Sequence, residues 1–275
     1  MQVAETVARA RELFAALPRP LGFVPTMGAL HAGHLALVRR ARERCAGVAA
    51  SIFVNPLQFG PSEDLATYPR DLEHDRQKLQ AAGVDAVFVP DGDAMYPPDF
   101  ATTVDVGAIA TIFEGAIRPG HFRGVTTVIA KLLNIVRPDV LFLGQKDAQQ
   151  AIVIHRMLVD LNAPVEIDLV PTVREPDGLA LSSRNAYLDA QQRAAAPTLH
   201  TALLAVRDAL RAGRDKSDAI AAGRAVLSAS ATLEYLDVVD GTTFAPAERL
   251  VASAFVIGAA RFGPTRLIDN VLLCK

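Results

Sequence analysis

The stretch that decides the fold is LGFVPTMGALHAGH (21–34). Residues 21–26 form an apolar run typical of a strand buried on both faces, and a helical pattern follows over 35–45. Gly28 and Gly33 lie at the junction, where glycine lets the backbone approach a ligand closely. Amides at a helix N-terminus suit phosphate oxygens. The stretch therefore predicts a phosphate site just after a strand.

Two histidines of this stretch, His31 and His34, are three residues apart, so on a first helical turn they share a face. Two imidazoles there can donate hydrogen bonds to phosphates and stabilise charge on a departing pyrophosphate. Two other interpretations stay open: one histidine caps the helix while the other packs, or the pair binds a metal. The sequence has no HExxH motif and no nearby third ligand.

Two common phosphate-binding motifs are missing from the chain. No GxxxxGK[ST] occurs, and no GxGxxG follows the first strand, which argues against a P-loop protein and against a dinucleotide fingerprint. A strand–HxGH–helix start without either motif resembles the nucleotidylyltransferase superfamily, which class I aminoacyl-tRNA synthetases share.

The hydrophobic pattern predicts two domains. Up to about residue 173, apolar strands alternate with helices, which favours an α/β domain with a parallel sheet covered by helices on both sides. Beyond it, two helical stretches precede three adjacent strands, which favours a smaller α+β domain with an antiparallel sheet. We expect domains at 1–173 and 174–275. The predicted strands are 21–26, 48–56, 84–90, 139–144, 165–173, 233–241, 249–263 and 265–273; the predicted helices are 35–45, 70–83, 125–136, 148–162, 189–213 and 216–230.

Composition narrows the class of protein. The chain has 275 residues and a formal net charge of −2, from 28 basic and 30 acidic side chains. This charge balance gives no overall electrostatic attraction to nucleic acid or to an anionic membrane. Only two cysteines occur, at 45 and 274, and neither forms a CxxC or Cys/His cluster. We find no signal-peptide core and no apolar run long enough to span a bilayer. These features predict a cytoplasmic protein.

Four further segments follow the HxGH stretch in order. They are VNPLQF (54–59) with YPR (68–70), RPGHFRGV (118–125), GQKDAQQ (144–150) and DGLALSSRN (177–185). Taken singly, each segment has an ordinary explanation, such as a turn glutamine, a solvated Lys–Asp pair or a serine helix cap. For Arg118 and Arg123 two roles stay open: they line the phosphate path, or they pair with Glu114. Together, over about residues 20–190, the segments resemble the pantothenate synthetase (pantoate–β-alanine ligase) family.

The resemblance implies a Rossmann-like domain followed by a C-terminal lid domain, and a two-step ligation. Pantoate and ATP would give pantoyl adenylate and pyrophosphate, and β-alanine would then give pantothenate and AMP. It implies catalytic roles for His34, His31, Lys146 and Arg184, with His34 usually described as a proton donor. ATP contacts are implied for Met27, Gly28, Ala29, Leu30, His31, Ala32, Gly33, His34, Gly144, Gln145, Lys146, Asp147, Val173, Leu181, Ser182, Ser183 and Arg184.

The resemblance also implies substrate contacts at Gln58, Gln150, Pro25, Thr26 and Asn55. Gln58 matches the position that contacts pantoate and β-alanine, and Gln150 matches a second pantoate contact. ATP would lie across the cleft between His34, Lys146 and Ser182, with Mg²⁺ as the partner of the leaving pyrophosphate and with a homodimer as the assembly. Two rival functions are a nucleotidylyltransferase with another acceptor, such as phosphopantetheine or nicotinate mononucleotide, and a non-catalytic nucleotide sensor.

Overall fold

A computed structural model describes residues 1–61, 63–247 and 253–274 of the chain. The chain divides into two compact units. The first contains 1–144 and 153–170, and the second contains 145–152 and 171–275. The part of the predicted strand 249–263 that covers 249–252 lies outside the described residues. None of the helices in the described ranges is long and apolar enough to cross a membrane.

The first unit is built around a six-stranded sheet whose strands are all parallel, in the order β1-β4-β3-β2-β5-β6. Its strands are β1 (Gln2–Ala4), β2 (Leu21–Thr26), β3 (Gly47–Ile52), β4 (Ala86–Phe88), β5 (Val140–Gly144) and β6 (Glu166–Val170). Its helices are α1 (Val7–Ala15), α2 (Ala32–Arg44), α3 (Leu72–Ala81), α4 (Gly92–Met95), α5 (Glu114–Ile117) and α6 (His121–Val136), and α7 (Ala148–Asp160) runs from the second unit into the first.

The apolar strands form the core of this sheet. Every residue of β3 is buried, and Phe23, Val24, Leu141 and Phe142 of the neighbouring strands are 0% exposed. The chain leaves β2 toward β3 and β4, then returns to the other side of β2 through β5. A reversal of this kind opens a crevice at the carboxyl ends of the two strands. Thr26 and Gly144 therefore end neighbouring strands at one edge of the sheet.

The second unit contains helices followed by an antiparallel sheet in the order β7-β8-β9. Its helices are α8 (Ala190–Ala195), α9 (Thr198–Arg211) and α10 (Lys216–Val226), and its strands are β7 (Ala231–Asp240), β8 (Ser253–Phe262) and β9 (Thr265–Cys274). Leu203 and Val206 of α9 pack with Val256 of β8 in one apolar cluster. The predicted fold class, a Rossmann-like parallel sheet followed by a smaller α+β part, is confirmed.

Several element boundaries differ from the predictions. The strand β1 was missed, because its three residues carry too short a pattern to distinguish from a helix start. The predicted helix 189–213 is two helices, since Pro197 lies between them and lacks the N–H that a continuous helix needs. The helix α6 begins at His121, four residues before the predicted start at 125.

Candidate active site

The loop after β2 is held by its own backbone and by one distant carboxylate. Gly28 and Ala29 both have positive φ, of 83° and 51°, a region that costs a non-glycine residue free energy unless its surroundings hold it there. Asp75 of α3 is 2% exposed and accepts hydrogen bonds from the Ala29 and Leu30 amides, both at 2.8 Å. Lys78 Nζ donates to the Leu30 carbonyl at 2.6 Å. Asp75 and Lys78 therefore fix the residues that lead into α2.

The two histidines together cap α2. His31 is the N-cap residue, and its Nδ1 accepts a hydrogen bond from the Gly33 amide at 3.1 Å. His34 lies three residues on, and its Nδ1 accepts from the His31 amide at 3.3 Å. The ring centroids are 4.1 Å apart. This is a capping box built from imidazoles, where serine and glutamate are usual.

The capping box determines which ring nitrogens carry protons. An Nδ1 atom that accepts from a backbone amide holds no proton, so each neutral ring must carry its proton on Nε2. Each ring then presents an Nε2–H donor at the N-terminus of α2, where the helix dipole is positive. Capping by Nδ1 is compatible with the predicted role of these rings as hydrogen-bond donors, because that role belongs to Nε2.

Gln58 lies at the end of a short 3-10 helix over Pro56–Gln58 and is buried. Its Nε2 donates to Met27 Sδ at 2.9 Å, and its Oε1 accepts from Asn55 Nδ2 at 3.0 Å. Asn55, 1% exposed, also donates to the Gly124 carbonyl at 3.1 Å and accepts from the Leu57 amide and the Tyr96 hydroxyl. All four hydrogen-bonding positions of Asn55 are thus used inside the protein, and Asn55 orients the Gln58 amide.

The backbone of Gln58 is held from α6. His121 Nδ1 lies 2.8 Å from the Gln58 carbonyl oxygen, so Nδ1 must be the donor. Its Nε2 lies 3.1 Å from Arg118 Nη1 and accepts there. Arg118 also donates to the Gln58 carbonyl, and its Nε reaches Glu63 Oε1 at 2.8 Å. Of the two roles considered for Arg118, ion pairing is observed, but its partner here is Glu63.

In the second unit, the predicted nucleotide residues Gln145–Asp147 form a 3-10 turn. Lys146 Nζ lies 3.3 Å from Asp147 Oδ1. Asn270 of β9 donates to the Gln145 carbonyl at 2.8 Å and to the Lys146 carbonyl at 2.9 Å. Gln150 follows in α7 and is half-buried.

The other predicted nucleotide segment of this unit begins with a hairpin-like turn. The Leu181 amide donates to the Val173 carbonyl at 3.0 Å, and Arg174 pairs with Ala180 in an antiparallel bridge. Ser182 then caps the 3-10 helix Ser183–Tyr187, accepting from the Arg184 amide at 3.2 Å. Ser182, Ser183 and Arg184 are all half-buried. The predicted residues therefore assemble in two groups, one in each unit.

The family model described as pantoate-beta-alanine ligase matches residues 2–272. The chain is 54% identical to pantothenate synthetase of Chloroflexus aurantiacus over 99% of this chain and 98% of that one. It is 52% identical to the crystal structure of pantothenate synthetase from Thermus thermophilus, which it covers completely with a TM-score of 0.95. The chain belongs to the pantoate–β-alanine ligase family.

Another solved pantoate–β-alanine ligase, from Francisella tularensis, was crystallised with beta-gamma ATP and β-alanine. It is 34% identical to this chain, with a TM-score of 0.80, and the match covers 99% of this chain and 97% of that one. The family predicted from the five sequence segments is thereby confirmed, and so is the enzyme class, a ligase. The assignment of individual residues to ATP or to the acid substrate stays a prediction.

Sequence reasoning assigned no individual role to several residues that hold the candidate site together. Asp75 lies in an acidic first helical turn, a pattern that is ordinary for dipole reasons, so nothing singled it out. Tyr96 contacts Asn55, and His121 contacts Gln58, only because the fold brings distant parts of the chain together. Asn270 left a usable signal, because the polar pair Asp269–Asn270 interrupts the apolar run of β9.

Burial of His121 gives this ligase a pH-dependent stability. The pKa of His121 is lowered from 6.5 to about 4, mainly by burial and to a lesser extent by the positive charge of Arg118. The unfolded chain therefore binds a proton that the folded chain rejects, and the free energy of unfolding falls as pH drops from above 6.5 toward 4. We expect a loss of roughly 2 kcal/mol between pH 7 and pH 5 from this group. Urea unfolding of wild type and His121→Asn at both pH values measures it; equal losses in both proteins would contradict the prediction.

Gly124 of α6 is needed because the helix approaches the Gln58 loop closely. A Cβ at this position would lie 2.1 Å from the Leu57 carbonyl oxygen and 2.7 Å from the Gln58 nitrogen. Overpacking of this kind costs about 1–3 kcal/mol of protein stability. Because relief of the clash requires the Leu57–Gln58 backbone to move, Gly124→Ala is also expected to misplace the Gln58 amide and to raise the KM for pantoate about tenfold. Gly92→Ala is the matched control, because a Cβ there meets nothing within 4 Å. Equal KM values for the two variants would contradict the prediction.

Proposed function

We propose that this protein condenses pantoate with β-alanine at the expense of ATP, through a pantoyl-adenylate intermediate, and releases AMP and pyrophosphate. The observation that carries the proposal is the imidazole capping box, which directs two Nε2–H donors to the N-terminus of α2. Family membership and the ATP- and β-alanine-bound Francisella relative support the choice of substrates.

In the first step, a pantoate carboxylate oxygen attacks the α-phosphorus of ATP. A P–O bond forms, the bond from the α-phosphorus to the bridging oxygen breaks, and its electron pair leaves with pyrophosphate. His34 and His31 donate hydrogen bonds through Nε2 to the phosphate oxygens that gain charge. Such a displacement needs positioning and charge stabilisation more than covalent help from the protein.

In the second step, the β-alanine amine attacks the acyl carbon of pantoyl adenylate. A C–N bond forms, the C–O bond to the phosphate breaks, and AMP leaves with that electron pair while the amine loses a proton to solvent. The adenylate phosphate is a good leaving group, so this step proceeds without a protein nucleophile.

Gln58 is the proposed anchor for pantoate. Its amide uses one donor on Met27 and one acceptor on Asn55, and an amide offers two of each. The second N–H and the second oxygen lone pair suit a substrate with both hydroxyls and a carboxylate. Asn55 is reassigned here from substrate contact to positioning. Thr26 keeps its proposed contact with pantoate: its hydroxyl donates to the Ser51 carbonyl and accepts from the Gly28 amide, and a hydroxyl has a second lone pair. Pro25 and Gln150 keep their proposed contacts with pantoate.

ATP is the proposed ligand of the remaining residues. In the first unit these are Met27–His34 and Gly144. In the second unit, Lys146 supplies a cation, and hydrogen-bond donors to the phosphates come from Ser182, Ser183 and Arg184. Backbone contacts come from Val173 and Leu181, and the turn that carries Lys146 is completed by Gln145 and Asp147. The described residues contain no group of three His, Cys, Asp or Glu placed to hold a metal. Mg²⁺ usually binds through one or two carboxylates plus substrate phosphates, so we propose that it enters with ATP.

The family resemblance supports one further proposal, a homodimer, and the composition and hydrophobic pattern of the sequence support two more, the location and the domain bounds. We propose a homodimer located in the cytoplasm, with a nucleotide- and pantoate-binding domain at 1–173 and a C-terminal lid domain at 174–275. The two chemical steps above do not depend on these proposals.

Isotope transfer tests the function directly. Pantoate labelled with ¹⁸O in its carboxylate is incubated with ATP, Mg²⁺ and β-alanine, and the AMP is analysed by mass spectrometry. One ¹⁸O per AMP is expected, because the acyl C–O bond breaks in the second step. AMP without label, ADP as product, or an adenylylated acid that ignores β-alanine would reject the proposal.

A further inference from the structure

The turn Gln145–Asp147 is closed by a residue from β9. Asn270 is 2% exposed, and its Nδ2 donates one hydrogen bond to the Gln145 carbonyl and one to the Lys146 carbonyl, at 2.8 and 2.9 Å. Its Oδ1 accepts from Gln145 Nε2 at 3.2 Å. One buried amide thus satisfies two consecutive carbonyls of the turn and orients the Gln145 side chain.

The preceding residue, Asp269, is tied to the other predicted nucleotide segment of the same unit. Arg174 forms a two-pronged pair with its carboxylate, at 2.6 and 2.9 Å. The same guanidinium donates to the Asn270 carbonyl at 3.1 Å and to the Gly178 carbonyl at 3.0 Å. Arg174 lies between Val173 and the hairpin-like turn that leads to Leu181 and Ser182. The step Asp269–Asn270 therefore joins the turn at 145–147 to the segment at 173–184.

We propose that Asn270, supported by Asp269 and Arg174, is a positioning residue for ATP binding. It acts through the backbone of Lys146 and sets the direction in which that side chain leaves the turn. This inference rests on the proposed assignment of Lys146 to the phosphates, and it adds a residue from the C-terminal strand to a site otherwise formed by segments that end near residue 184.

The chemistry of an amide explains why asparagine is used. Two neighbouring carbonyl oxygens need two N–H donors at one point, and the Nδ2 group supplies both. Aspartate has the same shape but presents acceptors, so Asn270→Asp sets an oxygen against two carbonyl oxygens and removes the two side-chain donors that they have in the wild type. The substitution therefore destabilises the turn, because buried polar groups that lose hydrogen-bond partners raise the free energy of the folded state.

The test measures binding of a non-hydrolysable ATP analogue by calorimetry, and KM for ATP and for pantoate, in wild type, Asn270→Asp and the milder Asn270→Ser. We expect ATP-analogue affinity and KM for ATP to worsen about tenfold and KM for pantoate to stay within about twofold. If the aspartate variant does not fold, the serine variant supplies the measurement. Thr198→Ala is the control, because Thr198 makes two hydrogen bonds elsewhere in the same unit and should leave ATP binding unchanged.

A double-mutant cycle separates positioning from general destabilisation. In a Lys146→Ala background, the serine or aspartate change at 270 should add little further loss of ATP affinity. Full additivity, unchanged ATP affinity, or equal losses for ATP and pantoate would overturn the inference. Failure of the proposed function is recognised separately: wild type would then bind the ATP analogue but form no pantothenate, and the calorimetric comparison at position 270 would still decide this inference.

Discussion

His34→Ala is expected to lower kcat for pantothenate formation by about 10²–10³, the usual loss when one preorganised donor to a developing charge is removed. The physical reason is the Nε2–H that the capping box fixes on this ring, since Nδ1 already accepts from the His31 amide. KM for ATP should change less than kcat, because the lost interaction strengthens as pyrophosphate departs. Steady-state kinetics with a coupled pyrophosphate assay measures both values.

His34→Gln is the matched control for this prediction. Glutamine is a usual partner at the third position of a capping box, so it restores the helix cap without restoring the imidazole. We expect its kcat to stay close to that of the alanine variant. A rate near wild type in the glutamine variant would assign His34 to helix capping alone, and an unaltered rate in the alanine variant would remove it from the chemistry.

Lys146→Ala is expected to reduce kcat/KM for ATP by about 10–150-fold, since a charged hydrogen bond contributes about 1.5–3 kcal/mol. KM for pantoate should change much less. Gln58→Ala should give the opposite pattern, with pantoate affected more than ATP. Kinetics with each substrate varied in turn distinguishes the two variants.

Lys216→Ala provides the comparison for Lys146. Lys216 lies in the same unit and pairs with Asp237, and the two lysine side chains have the same exposure, 22%. Its replacement removes an ion pair of the same class and should leave both KM values unchanged. If Lys146→Ala affected ATP and pantoate equally, the assignment of Lys146 to the phosphates would be wrong.

The sequence was most informative where one short segment determined both local structure and chemistry. The run 21–26 is apolar on both faces and became the central strand β2, and the glycines and histidines after it became a loop and a helix cap. Elements that depend on distant partners were harder to predict. The strand β1 is defined by its pairing with β4, and that pairing leaves no periodic signal in three residues.

The same distinction applies to the candidate site. Residues proposed to contact a ligand stood out as motifs, whereas residues that orient them did not. Asp75 lies 46 positions from Ala29, whose amide donates to it, and Tyr96 lies 41 positions from Asn55. Contacts at such separations depend on the topology of the sheet, and no spacing rule along one sequence reveals them. Asn55 shows the converse, since a residue predicted to contact substrate has its hydrogen-bonding capacity filled by its neighbours.

The hydrogen bonds of Asn270 also determine how late in protein synthesis the turn Gln145–Asp147 can be completed. The turn at 145–147 receives its two donors from a residue 125 and 124 positions later. At elongation rates of about 5–20 residues per second, roughly 6–25 s separate synthesis of the turn from synthesis of its donor. The turn Gln145–Asp147 can therefore take its final hydrogen bonds only after β9 has been translated.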